Sequence, residues 1–293
     1  MRVHKYKWLV LYVLLGVISI LLLLTHAINN GFPLLYSDSG SYVISGMKHE
    51  IPADRPLMYG LLIWAAGMGI SLWHVALLQA LFVGYMLWLL LKCTTGSTRL
   101  AFVILPLLAL IITGISGVSF YVSFLIPDIL SAVVIAGILI LIAYPELQIS
   151  HRIALIVIVI ISALTHYSNL INILSVALVF LFLFLFFRKQ SFVVKRRKAF
   201  YLLLSVVFLS FFLNTLLPSF FEGEEKTPKS NYGHPFATLL ESGLVHQYLT
   251  EHCDDTSLYF CKHINELPRN HGYFLWDMNS ILYRDCKSLK NCR

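Results

Sequence analysis

Long apolar runs separated by short polar segments dominate the pattern of this 293-residue chain. A helix crosses the hydrocarbon core of a bilayer with about 20 apolar residues. Residues 153–187 are too long a run for one crossing, and His166-Tyr-Ser-Asn169 in its middle predicts a turn. The pattern predicts an all-α, polytopic membrane protein with about seven transmembrane helices. The remaining runs cover residues 8–25, 73–91, 100–116, 129–143 and 200–217.

Residues 27–55 are predicted to form the first outer loop. Asn29-Asn30-Gly31 and Pro33 break the preceding helix. The next apolar stretch, residues 57–70, is short and interrupted by three glycines. We therefore expect an interfacial helix there, juxtamembrane or partly re-entrant, with a full additional span as the alternative.

Composition and charge exclude a soluble domain and a nucleic-acid partner. The chain is 58% hydrophobic and 13% charged, whereas soluble proteins carry about a quarter charged residues. Its net charge is +7, but twelve of its 22 Lys and Arg and one of its 15 acids lie in segments that the topology assigns to the cytoplasm. The charge therefore follows the positive-inside rule. It predicts a cytoplasmic N-terminus, with the first helix retained because its apolar run is long and no Ala-x-Ala site follows.

The same topology divides the chain into a transmembrane domain, residues 1–217, and an extracytoplasmic α-rich tail, residues 218–293. The tail includes a predicted helical stretch at residues 236–249. It also holds four of the five cysteines, namely Cys253, Cys261, Cys286 and Cys292. Such a cluster indicates disulfides in an oxidising compartment, with the connectivity left open. The alternative is free thiols in a cytoplasmic tail.

Candidate chemistry is concentrated in the outer segments, because metal-hydrolase, nucleotide-loop and nucleophile-elbow signatures are absent. Asp38, in Tyr36-Ser-Asp-Ser-Gly-Ser-Tyr42, is a candidate general base in a partly dry site. Its alternative role is structural, with Ser37 or Asp38 capping a short helix.

Other candidates lie at the same predicted membrane face. Arg55 can bind a lipid phosphate bidentately, or Asp54 and Arg55 can form an interfacial pair in which Arg55 reaches toward headgroups. Asp128 follows Pro127 at a helix start, where it either caps the helix or takes part in the reaction. His166 is a binding candidate or a solvated turn residue. No metal-ligand spacing joins the histidines.

These residues resemble a family pattern. Asp38-Ser-Gly-Ser-Tyr42 after the first helix, then Asp54-Arg-Pro-Leu-Met-Tyr59 entering an interfacial helix, is similar to the first outer loop of GT-C glycosyltransferases. The resemblance implies a module of seven spans and a polyprenyl-phosphate-linked sugar as donor. Together with the shared membrane face of Asp128 and His166, it assigns catalysis to Asp38, Asp54 and Asp128, and substrate binding to Arg55, Tyr42, Tyr59 and His166. A lone Asp38 replaces the family's acidic pair, which leaves a divalent cation as an open cofactor.

The leading hypothesis is a transferase that moves a sugar or related group to an acceptor on the extracytoplasmic side. The tail segment Phe274-Leu-Trp276-Asp-Met-Asn-Ser280 resembles tails of uncharacterised bacterial multi-pass proteins, which implies a bacterial inner membrane with membrane lipid as a partner. One alternative is a lipid or solute transporter or flippase, although ionisable groups are scarce within the spans. The other is a non-catalytic scaffold whose tail docks a protein partner.

Overall fold

The computed structural model describes residues 2–51, 55–67, 70–187, 197–221, 233–253, 259–277 and 279–281. Packing divides the chain into two compact units, Met1–Glu224 and Glu225–Arg293. The domain division at residue 217 stays a prediction, and the packing boundary falls seven residues after it. Three predicted site residues lie outside the described residues: Asp54, Cys286 and Cys292.

Regular structure in the described residues is helical, apart from one isolated bridge between Leu34 and Phe124. The prediction of an all-α chain is confirmed to that extent. The helices of the first unit are α1 Arg2–Leu23, α2 Thr25–Asn30, α3 Ser39–Lys48, α4 Met58–Gly67, α5 Trp73–Thr95, α6 Thr98–Ile115, α7 Val118–Ser123, α8 Asp128–Ala143, α9 Ile149–Ala163, α10 Tyr167–Phe186 and α11 Arg197–Leu216, which a 3-10 turn, Leu217–Phe220, extends.

Five of these helices are long and apolar enough to cross a membrane, as a multi-pass membrane protein requires. They contain Tyr6–Leu23, Trp73–Thr95, Thr98–Ile115, Tyr167–Phe186 and Arg197–Phe220. The apolar helices α8 and α9 have 16 and 15 residues. At 1.5 Å per residue each spans about 22–24 Å, short of a hydrocarbon core about 30 Å thick. Length alone therefore supports five spans and leaves the other two of the predicted seven to α8 and α9.

The long helices bury small residues and expose large apolar ones. In α6, Ala101 and Ala109 are fully buried, whereas Val103 and Leu107 are more than half exposed. In α1 the small residue Ser19 is likewise fully buried. In water such a surface would be unstable, but in lipid small residues at helix contacts allow close backbone approach. The distribution of side chains therefore fits a bundle surrounded by hydrocarbon.

Helix α8 occupies the centre of the bundle and packs on α5, α9 and α10. Gly137 permits its close approach to α9, since a Cβ there would lie 2.4 Å from a methyl group of Val159. Leu130, Val134 and Ile138 on α8 are essentially inaccessible. A helix buried this way can be short, because neighbouring helices rather than lipid cover it.

One end of the first unit collects cations and aromatic rings. Arg99 lies over the ring of Trp8 at 4.7 Å, and Lys92 lies over the ring of Trp88 at 5.1 Å. The Lys92 Nζ also contacts Nε2 of His151 at 2.8 Å. Lys92, Arg99 and His151 lie between the apolar runs, in segments that the predicted topology assigns to the cytoplasm.

The other end is built on a short tertiary pairing between the first outer loop and the end of α7. The amide of Leu34 donates to the carbonyl of Ser123 at 2.8 Å, and the amide of Leu125 donates to the carbonyl of Leu34 at 3.0 Å. The hydroxyl of Ser123 accepts from the amide of Ala27 at 3.0 Å. Helix α2 ends before Gly31, whose φ of 75° is the left-handed conformation that glycine adopts most easily. The predicted helix break at this glycine is confirmed.

The second unit contains α12 Gly233–Glu241, α13 Leu244–His252, a 3-10 helix Tyr259–Glu266 and α14 His271–Trp276. The stretch predicted to be helical, residues 236–249, lies in α12 and α13, which Gly243 separates by adopting φ 82°. Leu240, Phe274 and Leu275 are among its core side chains. Cys253 and Cys261 form a disulfide, which selects one pair among the four predicted cysteines.

Candidate functional site

An ion pair joins the two charged residues that the sequence singled out in the first outer loop. The Nη1 atom of Arg55 lies 3.1 Å from Oδ2 of Asp38. The Arg55 side chain is 12% exposed and that of Asp38 is 46% exposed. Burying a guanidinium is costly without a charged partner, and Asp38 supplies that partner. The carboxylate therefore holds the arginine while keeping about half of its own surface open.

Asp38 occupies the N-cap position of α3, as the structural alternative predicted, but its side chain makes no capping hydrogen bond. The Oδ1 atom lies 3.4 Å from the hydroxyl of Ser37. The cap interpretation is therefore correct in position and wrong in contact. The Arg55 side chain itself is largely buried.

Two predicted binding tyrosines complete this cluster. The guanidinium carbon of Arg55 lies 4.9 Å from the ring centre of Tyr42, a cation–π distance. Tyr42 meets Tyr59 edge to face at 4.9 Å. Both rings are buried. The fold thus gathers Asp38, Arg55, Tyr42 and Tyr59 into one contiguous group, hereafter the Asp38 cluster.

Gln79 connects the Asp38 cluster to the bundle, and sequence analysis missed it. The hydroxyl of Tyr59 donates to Oε1 of Gln79 at 2.7 Å. The Nε2 group of Gln79 donates to the carbonyls of Val122 and Phe124 at 2.9 and 2.8 Å. Gln79 is fully buried within α5. A lone amide within an apolar span was the available signal, since such a group must find partners inside the protein.

Two glycines allow α3 and α4 to touch. A Cβ on Gly46 would lie 2.3 Å from the carbonyl oxygen of Gly60, and one on Gly60 would lie 2.8 Å from the hydroxyl of Ser45. The two segments run parallel, because their contacts occur in the same order along both: Asp38–Arg55, then Tyr42–Tyr59, then Gly46–Gly60. The loop after α3 must therefore return to the start of that helix, which places Arg55 beside Asp38.

Asp128 lies close enough to the Asp38 cluster for its charge to act on Tyr59. Burial raises the pKa of Tyr59 well above its usual range, with further contributions from Tyr42 and from the charge of Asp128. Asp128 itself is exposed and forms the first residue of α8. The N-cap is Pro127, so Asp128 does not cap the helix as predicted, but an acid in the first turn interacts favourably with the helix dipole.

His166 stands apart from this group in the described part of the chain. It is the N-cap of α10, and its Nδ1 accepts from the amide of Ser168 at 3.2 Å. Nδ1 also contacts the hydroxyl of Ser168 at 2.7 Å. The structure therefore supports the turn role for this histidine. Its role in substrate binding stays a prediction, because the contacts described for it are with Ser168 and not with the Asp38 cluster.

The described residues do not suit the divalent cation that the resemblance left open. The charged neighbour of Asp38 is Arg55, and a guanidinium at 3.1 Å repels a metal ion. No group of three His, Cys, Asp or Glu side chains capable of holding a metal occurs in the parts of the chain that were described.

Comparison of the chain with protein-family models, with curated proteins and with solved structures gives no match. The functional assignment therefore rests on the residues and their geometry.

Proposed function

We propose that this chain is a multi-pass membrane transferase of the GT-C kind. It moves a sugar or related group from a polyprenyl-phosphate donor to an acceptor hydroxyl on the extracytoplasmic side. The observation that carries the proposal is the Asp38–Arg55 pair, in which a half-exposed carboxylate is held by a largely buried guanidinium. The pair combines a proton acceptor with a phosphate-binding group in one place.

The proposed topology has seven spans, with α8 and α9 as the two short ones. The number of crossings is odd in both cases: seven if α8 and α9 cross the membrane, and five if neither does. A cytoplasmic N-terminus then puts the tail outside in either case. Support comes from the clustering of Lys92 and Arg99 at one end of the bundle and of the Asp38 cluster at the other. In α5, Gln79 and Lys92 are thirteen residues apart, or about 20 Å.

The Cys253–Cys261 disulfide supports the same orientation, since structural disulfides persist in oxidising compartments such as the bacterial periplasm. With the tail outside, the Asp38 cluster lies at the outer surface of a bacterial inner membrane. Helix α4 has ten residues, too few to cross, and serves as the interfacial helix after the first outer loop.

Cysteine substitutions test this topology in spheroplasts, with Cys93→Ser as the background. Ser150 and Ser168 are exposed at the starts of α9 and α10. We expect Ser168→Cys to react with a membrane-impermeant maleimide and Ser150→Cys to react only after permeabilisation. Equal reactivity of both positions from outside would contradict two crossings by α8 and α9 and leave five spans.

In the proposed reaction, Asp38 accepts the proton as the O–H bond of the acceptor breaks. The acceptor oxygen bonds to the anomeric carbon of the donor sugar. The bond from that carbon to the phosphate oxygen breaks, and its electron pair leaves with polyprenyl phosphate. Arg55 moves from Asp38 to the donor phosphate, which frees the carboxylate for the proton and stabilises the leaving group. Tyr42 stays under the guanidinium in both positions.

The decisive experiment replaces Asp38 with Asn in the full chain, reconstituted with radiolabelled polyprenyl-phosphate glucose, mannose, galactose and arabinose plus a membrane extract as acceptor. The measurement is polyprenyl phosphate released per enzyme. Removing a general base typically costs about 10²–10⁴-fold in rate. We expect a loss of that size for Asp38→Asn and a smaller one for Asp38→Glu.

Glu50→Gln is the matched control, because Glu50 lies in the same loop and its pair with Lys48 is well exposed at 3.9 Å. Exposed pairs of this kind contribute about 0–1 kcal/mol, so this variant should retain the parent's activity. Release by Asp38→Asn within about tenfold of the parent would remove Asp38 from the proposed role.

A further inference from the structure

The C-terminal unit contains an open apolar cavity that the proposed reaction does not use. Its volume is about 560 Å³, within the range of small-molecule sites. Most of the side chains that line it are aliphatic or aromatic and come from α12, α13 and the 3-10 helix. They include Phe236, Leu239, Leu244, Val245, Tyr248 and Phe260.

The walls of this cavity are fixed by local structure. Leu244 and Tyr248 are four residues apart on one face of α13, so their side chains stand one turn apart. The ring of Tyr248 stacks on His252 at 4.3 Å. The disulfide ties Cys253, directly after α13, to Cys261 in the 3-10 helix. The cavity therefore lies between elements that are covalently joined.

The polar side chains of the lining already have partners. The Nε2 group of Gln247 donates to Oε1 of Glu251 at 3.1 Å, and both residues are exposed. Apart from the hydroxyls of Tyr248 and Tyr259, the rest of the lining presents carbon, and Leu239, Leu244 and Tyr248 are each about half exposed. Leaving large apolar side chains open to water is unfavourable, and contiguous patches of this type mark binding sites. A ligand here needs an apolar body rather than groups that form hydrogen bonds.

We propose that this cavity binds one acyl chain of a membrane phospholipid. The unit is joined to α11 through residues 222–232, so a helix that can cross a membrane tethers it close to a bilayer. Phospholipid acyl chains are the most concentrated apolar molecules in that environment. Entry of a chain covers the apolar side chains of the cavity, which water otherwise contacts. The assignment requires α11 as an anchor and is independent of the transferase reaction.

The test uses the full chain in nanodiscs of phosphatidylcholine doped with a phosphatidylcholine analogue that carries a diazirine at the end of one acyl chain. Irradiation attaches the chain terminus to nearby residues, and mass spectrometry of peptides locates the adducts. We expect adducts on α13 and on the 3-10 helix, in addition to those on α11, which serve as the internal reference.

Val245→Trp fills the cavity and should abolish the α13 adducts while leaving those on α11 unchanged. Leu244→Gln, which makes the lining polar without adding bulk, should weaken them as well. Tyr273→Trp is the matched control, because Tyr273 is 64% exposed in the same unit and does not line the cavity. Unchanged hydrogen-exchange protection of α12 and α14 in each variant shows that the unit is folded.

Two results would overturn the inference. The first is an absence of adducts on α13 and the 3-10 helix in the parent chain. The second is labelling of α13 that persists in a folded Val245→Trp variant, because that would mean the unit's outer surface lies in the bilayer rather than that a chain enters the cavity.

Discussion

The Tyr59–Gln79 hydrogen bond gives the most quantitative prediction from this structure. Replacing Gln79 with Leu keeps the side-chain volume similar but removes both polar groups of the amide. The hydroxyl of Tyr59 and the carbonyls of Val122 and Phe124 then lose their hydrogen-bond partner. An unsatisfied buried group costs about 1–3 kcal/mol, so three of them predict a loss of roughly 3–9 kcal/mol in the free energy of unfolding.

Tyr59→Phe separates the contribution of one contact. It removes the hydroxyl and leaves Oε1 of Gln79 without its donor, at a cost of about 1–2 kcal/mol. The double variant Tyr59→Phe/Gln79→Leu lacks both the hydroxyl and the amide, so neither is left without its partner. The combined loss should therefore fall short of the sum of the single losses by about 1–2 kcal/mol, as expected for residues in one network.

The assay is reversible unfolding in mixed micelles with increasing SDS, followed by tryptophan fluorescence. Gln148→Leu is the matched control, because Gln148 is exposed at the N-cap of α9 and makes no capping hydrogen bond. Surface substitutions of this kind stay within about 0.5 kcal/mol. Additive losses for Tyr59→Phe and Gln79→Leu would mean that the two side chains do not interact, and would refute the network.

Two further predictions concern the helix contact and the tail. Gly46→Ala should destabilise the α3–α4 contact by about 1–3 kcal/mol in the same assay, because the new Cβ meets the backbone of Gly60. Gly40→Ala is the control and should have no such effect, because the space around its Cβ is open. Equal effects of the two substitutions would contradict the close approach of α3 and α4. Cys253→Ser should lower the free energy of unfolding of the C-terminal unit by about 2–3 kcal/mol, the chain-entropy value for a short loop, as measured by hydrogen exchange. The free thiol variant Cys93→Ser should leave that unit unchanged.

The proximity of Asp38 and Arg55 depends on contacts that no local pattern contains. Their separation of seventeen residues includes a helix and a returning loop, and the return is possible because Gly46 and Gly60 lack side chains. Tyr42 and Tyr59 were predicted individually, but their mutual edge-to-face contact follows from the same close approach. Asp128 and His166 were expected at the same face, yet only Asp128 lies close enough to influence Tyr59.

The all-helical class, the position of the long apolar helices and the helix end at Gly31 could all be predicted from the sequence. These features depend on apolar run length and on backbone freedom, which are properties of neighbouring residues. The tertiary structure decided the ion pair, the burial of Gln79, the split of α12 from α13 and the choice of Cys253 and Cys261 as a pair. Each of these depends on which distant segments touch, and that is fixed by packing complementarity rather than by any pattern along the chain.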